Sequence, residues 1–204
     1  MSSSSERLHL DFVRGSVGYR FLSGGTTGHL LVRAAGIMKA RTSLVVDATA
    51  GLGRDAFLLG SAGATVVMLE RNAEVYALLQ DALSRAREAS PALAELVGRL
   101  TLIHGDARDH LPALKPDIVL VDPMHPPRRK SALVKKEMRL LSSIVGADED
   151  AHDLMLVAIA SARDRVVLKW PSAAAPLLRH PEPSYQYVGK TIRYEVFLTA
   201  TKSG

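Results

Sequence analysis

Short apolar runs rich in Val, Ile and Leu alternate along this chain with longer stretches whose apolar positions recur every three to four residues. The runs at 43–47, 64–70, 100–104, 117–122 and 165–169 have the length and composition of buried strands. Between them, 54–61 opens a helix, and 73–89 sets Val75, Leu78, Leu79, Ala82 and Leu83 on one helical face. Ser90-Pro91 interrupts that helix, and a short one continues to Val97. Helices are also expected over 131–145 and 149–162. Toward the C-terminus, 185–188 and 193–199 predict an antiparallel pair, because Gly189-Lys190-Thr191 is too short to carry a crossover helix.

Strands alternating with helices predict an α/β fold with a mostly parallel sheet covered on both faces. Five such units followed by an antiparallel hairpin match the class I (Rossmann-like) methyltransferase fold better than a dehydrogenase. Residues 1–7 read as a disordered tail and residues 8–204 as one domain. Within it, 8–42 form an N-terminal extension before the first core strand. That extension holds a turn at Gly24-Gly25-Thr26-Thr27-Gly28 and a helix over 29–38.

The chemistry gathers at the strand ends. Val45-Val-Asp-Ala-Thr-Ala-Gly-Leu-Gly53 runs from a strand through a glycine loop into a helix that begins near Arg54 and Asp55. Gly51 and Gly53 let the backbone approach a ligand closely. The spacing Gly51-x-Gly53-x-x-Ala56 equally fits a dinucleotide-binding turn. Asp47 favours another cofactor. A carboxylate at the strand end suits the cationic amino-acid end of S-adenosyl-L-methionine, reached directly or through water, whereas a plain turn needs no such charge.

Glu70 ends the second strand, roughly twenty residues past the glycine loop, where an acid binds ribose hydroxyls in nucleotide-binding α/β folds. Its two oxygens match two adjacent hydroxyls; a solvated strand-end acid is the alternative. Arg71 beside it is placed to flank an adenine. Asp106, followed by Ala107, sits just past the third strand. It fits an acceptor for the adenine amino group and an ordinary helix N-cap equally well.

Asp122-Pro-Met-His-Pro-Pro127 follows the fourth strand. It resembles the Asp/Asn-Pro-Pro-aromatic signature of methyltransferases that modify exocyclic amino nitrogens. Such an amine has a delocalised lone pair and is a poor nucleophile. The Asp122 carboxylate and the Pro123 carbonyl can accept its two N–H bonds, aim the lone pair and stabilise developing positive charge. His125 holds the position that stacks on the target base. A proline-rich loop with no catalytic role would not require Asp122.

Composition narrows the setting. The 204 residues are 47% hydrophobic and 23% charged, a globular balance. The absence of cysteine excludes disulfides and thiolate metal sites. The seven histidines show no metal-ligand spacing, so no metal is expected. No apolar run reaches a membrane span and residues 1–7 do not resemble a signal peptide, which suggests the cytoplasm. The formal net charge is +5. One window carries as much by itself: Arg128, Arg129, Lys130, Lys135, Lys136 and Arg139 stand against the single acid Glu137. That patch suits RNA phosphates beside the proposed site, although a solvated helix face is also compatible with it.

Taken together, Asp47-Ala-Thr-Ala-Gly-Leu-Gly-Arg-Asp-Ala-Phe57, Met68-Leu-Glu-Arg-Asn72, Asp122-Pro-Met124 and Lys130-Ser-Ala-Leu-Val-Lys-Lys-Glu-Met-Arg139 resemble the RsmJ family of bacterial 16S ribosomal RNA guanine-N2 methyltransferases. The last run is the most specific, and the resemblance extends from about residue 11 to 199. It implies S-adenosylmethionine as cofactor and 16S rRNA or the 30S subunit as partner. It also implies cofactor contacts at Arg54, Asp55, Glu70, Arg71, the Asp106-Ala107 position and Asp122. Family members often carry Ser-Ser where Asp106-Ala107 stand and Phe where His125 stands, and longer members have a further N-terminal portion. Two rival readings remain open on the residues alone: a nicotinamide-dependent oxidoreductase using the glycine loop, and a non-catalytic RNA-binding module.

Overall fold

The computed structural model describes residues 10–13, 28–37, 43–124 and 150–199. Helix α1 (Leu30–Ala35) leads to β1 (Leu44–Asp47), α2 (Arg54–Ser61), β2 (Thr65–Glu70), α3 (Ala73–Ala89) and α4 (Pro91–Val97). The chain continues through β3 (Leu100–His104), α5 (Ala107–Leu114), β4 (Ile118–Val121), α6 (Ala151–Ser161), β5 (Arg165–Pro171), β6 (Tyr185–Val188) and β7 (Ile192–Leu198). The seven strands form one sheet in the order β3-β2-β1-β4-β5-β7-β6. Every pair from β3 to β5 is parallel, and β7 runs antiparallel to both β5 and β6.

The central strands are apolar on both faces because both faces are covered. On one face, Val45, Val66, Met68, Leu120 and Val167 pack with Leu31 of α1, Phe57 of α2, Leu79 of α3 and Leu96 of α4. Phe12 joins this core and stacks on Phe57, ring centroids 4.8 Å apart. On the other face, Val46, Leu69, Val119, Val121 and Leu168 pack with Leu111 of α5 and Met155 and Ala158 of α6.

Local signals account for the helix ends. The Asn72 side chain caps α3 by accepting from the Glu74 and Val75 N–H groups. Ser90 ends α3 in an extended conformation and caps α4, whose first residue is Pro91. The N-terminal helix is shorter than its sequence pattern predicts, because Gly36 adopts φ 67° and turns the chain after Ala35. Strand β5 is longer than predicted. Trp170 and Pro171 pair with Arg193 and Ile192 of β7, and only that partner extends it. The expected tail at 1–7 and helix over 131–145 lie outside the described residues.

The strand order creates the site. From β1 the chain builds outward through β2 and β3, then returns to lay β4 on the other side of β1. The connections after β1 and β4 therefore leave in opposite directions, and a crevice opens at the carboxyl ends of the two strands. No helix among the described residues is long and apolar enough to cross a membrane.

Candidate active site

The glycine loop is stitched to the strands on both sides of β1. Ala48 N–H donates to the Leu120 carbonyl of β4 at 2.9 Å, and Ala50 N–H to the Leu69 carbonyl of β2 at 3.0 Å. Gly51, at φ 50°, donates its N–H to Glu70 Oε2 at 2.9 Å. The Asp122 N–H in turn donates to Thr49 Oγ1 at 2.7 Å. The loop after β1 and the loop after β4 are thus one hydrogen-bonded unit.

That unit walls an open cleft lined by Ala48, Thr49, Gly51, Glu70, Asp122 and Met124 among others. Glu70 is buried, and its Oε1 accepts from the Asn72 N–H at 2.8 Å. Two backbone donors hold the carboxylate in one orientation on the cleft wall.

At one end of the cleft, two arginines and two aspartates form a network. Arg71 reaches Asp150 at 2.7 Å and Asp106 at 3.7 Å, while Arg108 reaches Asp106 at 2.7 Å and Asp150 at 2.8 Å. Asp106 also accepts from the Arg108 N–H at 2.9 Å, so it is the N-cap of α5. The Arg108 hydrogen bonds outweigh its partial burial and hold its carboxyl down at about 2. Of the two roles its position allowed, the capping role is present in the fold. An adenine amino group would have to share these oxygens with Arg108.

Beneath the Asp122 loop lies a second cluster. Asp47, Lys169 and Tyr194 come from β1, β5 and β7 and Asp122 directly follows β4, the strand between β1 and β5. Asp47 pairs with Leu120, Leu120 with Val167, and Lys169 with Tyr194, which brings residues 122 and 169 opposite each other one pleat further on. Lys169 Nζ donates to Asp122 Oδ2 at 2.7 Å and to Asp55 Oδ2. Burial disfavours this ammonium, but the carboxylates of Asp122 and Asp55 prevail and hold its pKa well above the usual lysine range. Asp47 is 2% exposed. Burial first, then the nearby Asp55, pushes it up to about 8, although the Thr49 N–H at 3.2 Å pulls the other way. Burial, with Asp55 adding to it, lifts Tyr194 to about 12.

The structure therefore brings Gly51, Glu70, Arg71, Asp106, Ala107 and Asp122 to one cleft. Asp47, Gly53, Arg54 and Asp55 lie off its described wall. Pro123 is buried directly after Asp122. His125 and the basic residues Arg128, Arg129, Lys130, Lys135, Lys136 and Arg139 lie outside the described residues. Sequence reasoning did not single out Thr49, Arg108, Asp150 or Lys169. For Lys169 a signal existed, a cation following the apolar run Val166-Val-Leu168.

Gly53 is constrained by the packing around it. It has φ 68°, and a Cβ there would meet Leu79 Cδ2 at 2.7 Å, Met68 Cε at 3.0 Å and Phe12 Cζ at 3.1 Å. Gly53→Ala is expected to destabilise the fold by about 2 kcal/mol through strain and overpacking. Urea unfolding measures this, and an unchanged midpoint would show that the loop relaxes freely.

A parallel sheet in this order, with its C-terminal antiparallel strands and a cleft between the loops after β1 and β4, defines a class I methyltransferase fold. The chain belongs to the family described as "Putative SAM-dependent methyltransferase", whose model matches residues 1–199. It is 55% identical to a ribosomal RNA small subunit methyltransferase J of Rhodopseudomonas palustris (strain BisB5), over 96% of this chain and 89% of that protein. It is 53% identical to the protein of the same name in Agrobacterium fabrum, over 97% of this chain and 95% of the relative. The crystal structure of the SAM-dependent methyltransferase NGO1261 from Neisseria gonorrhoeae superposes with a TM-score of 0.74. It is 32% identical and covers 98% of this chain and 77% of its own. Membership of this family removes the nicotinamide-dependent and non-catalytic readings.

Proposed function

We propose that this protein transfers a methyl group from S-adenosylmethionine to the exocyclic N2 of a guanine in small-subunit ribosomal RNA. The observation that carries the reading is the shared wall of Glu70 and Asp122 in one cleft, with the Asp122 backbone tied to the glycine loop through Thr49. The residues fit the cofactor. A fixed, buried carboxylate on the cleft wall suits ribose hydroxyls, and the buried Asp47 suits a cationic ligand group. Bound there, the cofactor supplies an electrophilic sulfonium methyl.

In this reading Glu70 and Gly51 hold the ribose, and Arg71 with the Asp106-Ala107 turn borders the adenine. Asp47, Arg54 and Asp55 set the charge around the amino-acid end. Asp122 and the Pro123 carbonyl accept the N–H bonds of the target amine, and His125 stacks on the base. A paired guanine would first leave its stack. The basic run from Arg128 through Arg139, directly after this loop in sequence, would hold RNA phosphates. The ribosomal substrate is supported by the names of relatives that match along nearly their full length. It also implies a cytoplasmic site of action, with residues 8–204 working as one catalytic domain.

The test is incubation of the purified protein with bacterial 30S subunits and labelled cofactor, followed by nucleoside analysis of the 16S RNA. N2-methylguanosine at one position is expected. Methyl incorporation on another base, or none, overturns the substrate assignment. Calorimetry gives a separate check on the cofactor: S-adenosylhomocysteine should bind and NAD should not.

A further inference from the structure

Arg71 after β2, Asp106 and Arg108 at the start of α5, and Asp150 at the start of α6 all line the cleft. Within this group Arg108 Nη2 stands between two carboxylates. It donates to Asp106 Oδ2 at 2.7 Å and lies 2.8 Å from Asp150 Oδ2. The backbone N–H and Nε of Arg108 both go to Asp106 Oδ1, at 2.9 Å and 3.0 Å. Asp106 Oδ1 therefore already accepts two bonds, and Oδ2 is the oxygen whose arginine bond has a second acceptor within reach. Asp150 directly precedes α6, yet its side chain makes no capping hydrogen bond there. Its carboxylate is given to the arginines instead, with Arg71 Nη1 at 2.7 Å beside Arg108 Nη2 on the same oxygen. The Arg108 side chain is partly exposed, so its head group is not locked by packing.

We infer that Asp150 is a positioning residue for the cofactor: it takes over Arg108 Nη2 from Asp106 Oδ2, so that Asp106 accepts an N–H of the adenine amino group. The inference rests on the reading of Asp106 as a border of the adenine. Both carboxylates are ionised at neutral pH. The Arg108 hydrogen bonds hold Asp106 down at about 2, and the Arg71 hydrogen bond, against an opposing effect of burial, holds Asp150 below the usual carboxylate range. A carboxylate whose charge is matched by a guanidinium is a poorer acceptor for a neutral amine than one whose charge is free. Displacing the Arg108 donor with nothing to receive it would leave it unpaired on the cleft wall, a larger loss than one new hydrogen bond returns. Asp150 removes that loss, because it is already at bonding distance from the same nitrogen. The exchange moves one hydrogen bond and leaves the cap of α5 in place, since the capping bond comes from the Arg108 backbone.

Calorimetry on the full chain tests this with two probes, S-adenosylhomocysteine and S-inosylhomocysteine. The second carries an oxo group in place of the adenine amino group, so it offers Asp106 no N–H from that position. The proteins compared are the wild type, Asp106→Asn, Asp150→Ala, Arg108→Met and the double variant Asp150→Ala/Arg108→Met. The wild type should prefer the adenosyl probe by about tenfold or more. Asp150→Ala leaves Arg108 wholly on Asp106 and should cut that preference to about threefold or less. Adding Arg108→Met clears Asp106 Oδ2 and should restore at least the wild-type preference, a recovery that a merely structural role for Asp150 would not give. Arg108→Met alone should keep or raise the preference, which keeps the inference testable if Asp150→Ala fails to fold. An unchanged preference in Asp150→Ala, no recovery in the double variant, or a lost preference in Arg108→Met overturns the inference. Equal affinity of the wild type for both probes, or an undiminished preference in Asp106→Asn, would instead overturn the reading of Asp106 itself.

Discussion

Asp122→Ala should lower kcat for methyl transfer to 30S subunits by about a thousandfold, the loss typical of removing one preorganised charge-stabilising group. The amine nitrogen is a weak nucleophile until its N–H bonds are held and its lone pair aimed, and Asp122 supplies the only proposed acceptor that also carries charge. The variant should fold. The hydrogen bond that ties the two loops together runs from the backbone N–H of residue 122 to Thr49, so it survives loss of the side chain. Lys169 keeps Asp55 as its partner, so no buried ammonium is stranded. S-adenosylhomocysteine affinity should fall far less than kcat, because the principal interaction lost forms with the amine. Single-turnover kinetics with 30S subunits measures the chemical step directly. Activity near the wild-type level would remove Asp122 from the reaction.

Cofactor affinity should rise steeply with pH through a single carboxyl. Burial, with Asp55 nearby, pushes Asp47 up to about 8. A cationic ligand group beside it favours the carboxylate, so binding must release a proton wherever Asp47 begins protonated. The dissociation constant for S-adenosylhomocysteine should fall by close to tenfold per pH unit from about pH 6 to 7.5, and level off near pH 8. Calorimetry in two buffers of different ionisation enthalpy would register the released proton. The same group shapes stability. Its folded pKa lies above its unfolded value near 4, so its burial is harmless below that pH. It becomes destabilising as pH rises toward 8. Asp47→Asn keeps the oxygen that accepts from the Thr49 N–H and cannot ionise. It should be more stable than the wild type at pH 8, on the order of 5 kcal/mol, with the difference vanishing near pH 4. Its cofactor affinity should be weak and insensitive to pH. A flat affinity profile in the wild type would place the cationic end of the cofactor elsewhere.

Much of this site was readable in the sequence because carboxylates at strand ends stand out against apolar strands. Glu70 and Asp122 each close a β-branched run, and the parallel sheet delivers both ends to one crevice. The glycine loop was readable as a turn, but not the division of labour within it. Gly51 faces the cleft, whereas Gly53 is shaped by Leu79, Met68 and Phe12, residues whose packing together no local pattern announces. Asp106 shows the opposite limit. Its sequence position allowed two roles, and only the Arg108 backbone N–H donating to Asp106 Oδ1 showed that the capping role is filled.

By itself the sequence determined the alternation of strands and helices, the acids that end β1, β2 and β4, and the glycine turn between the first strand and its helix. These follow from periodicity and residue chemistry within a few positions of one another. Only the tertiary structure decided which charges share a space. Lys169 lies 114 residues from Asp55 and 47 from Asp122, and parallel pairing of β4 with β5 makes them neighbours. Only there does the pKa of Asp47 acquire its value, because burial and nearby charge are properties of the packed sheet and not of the residue.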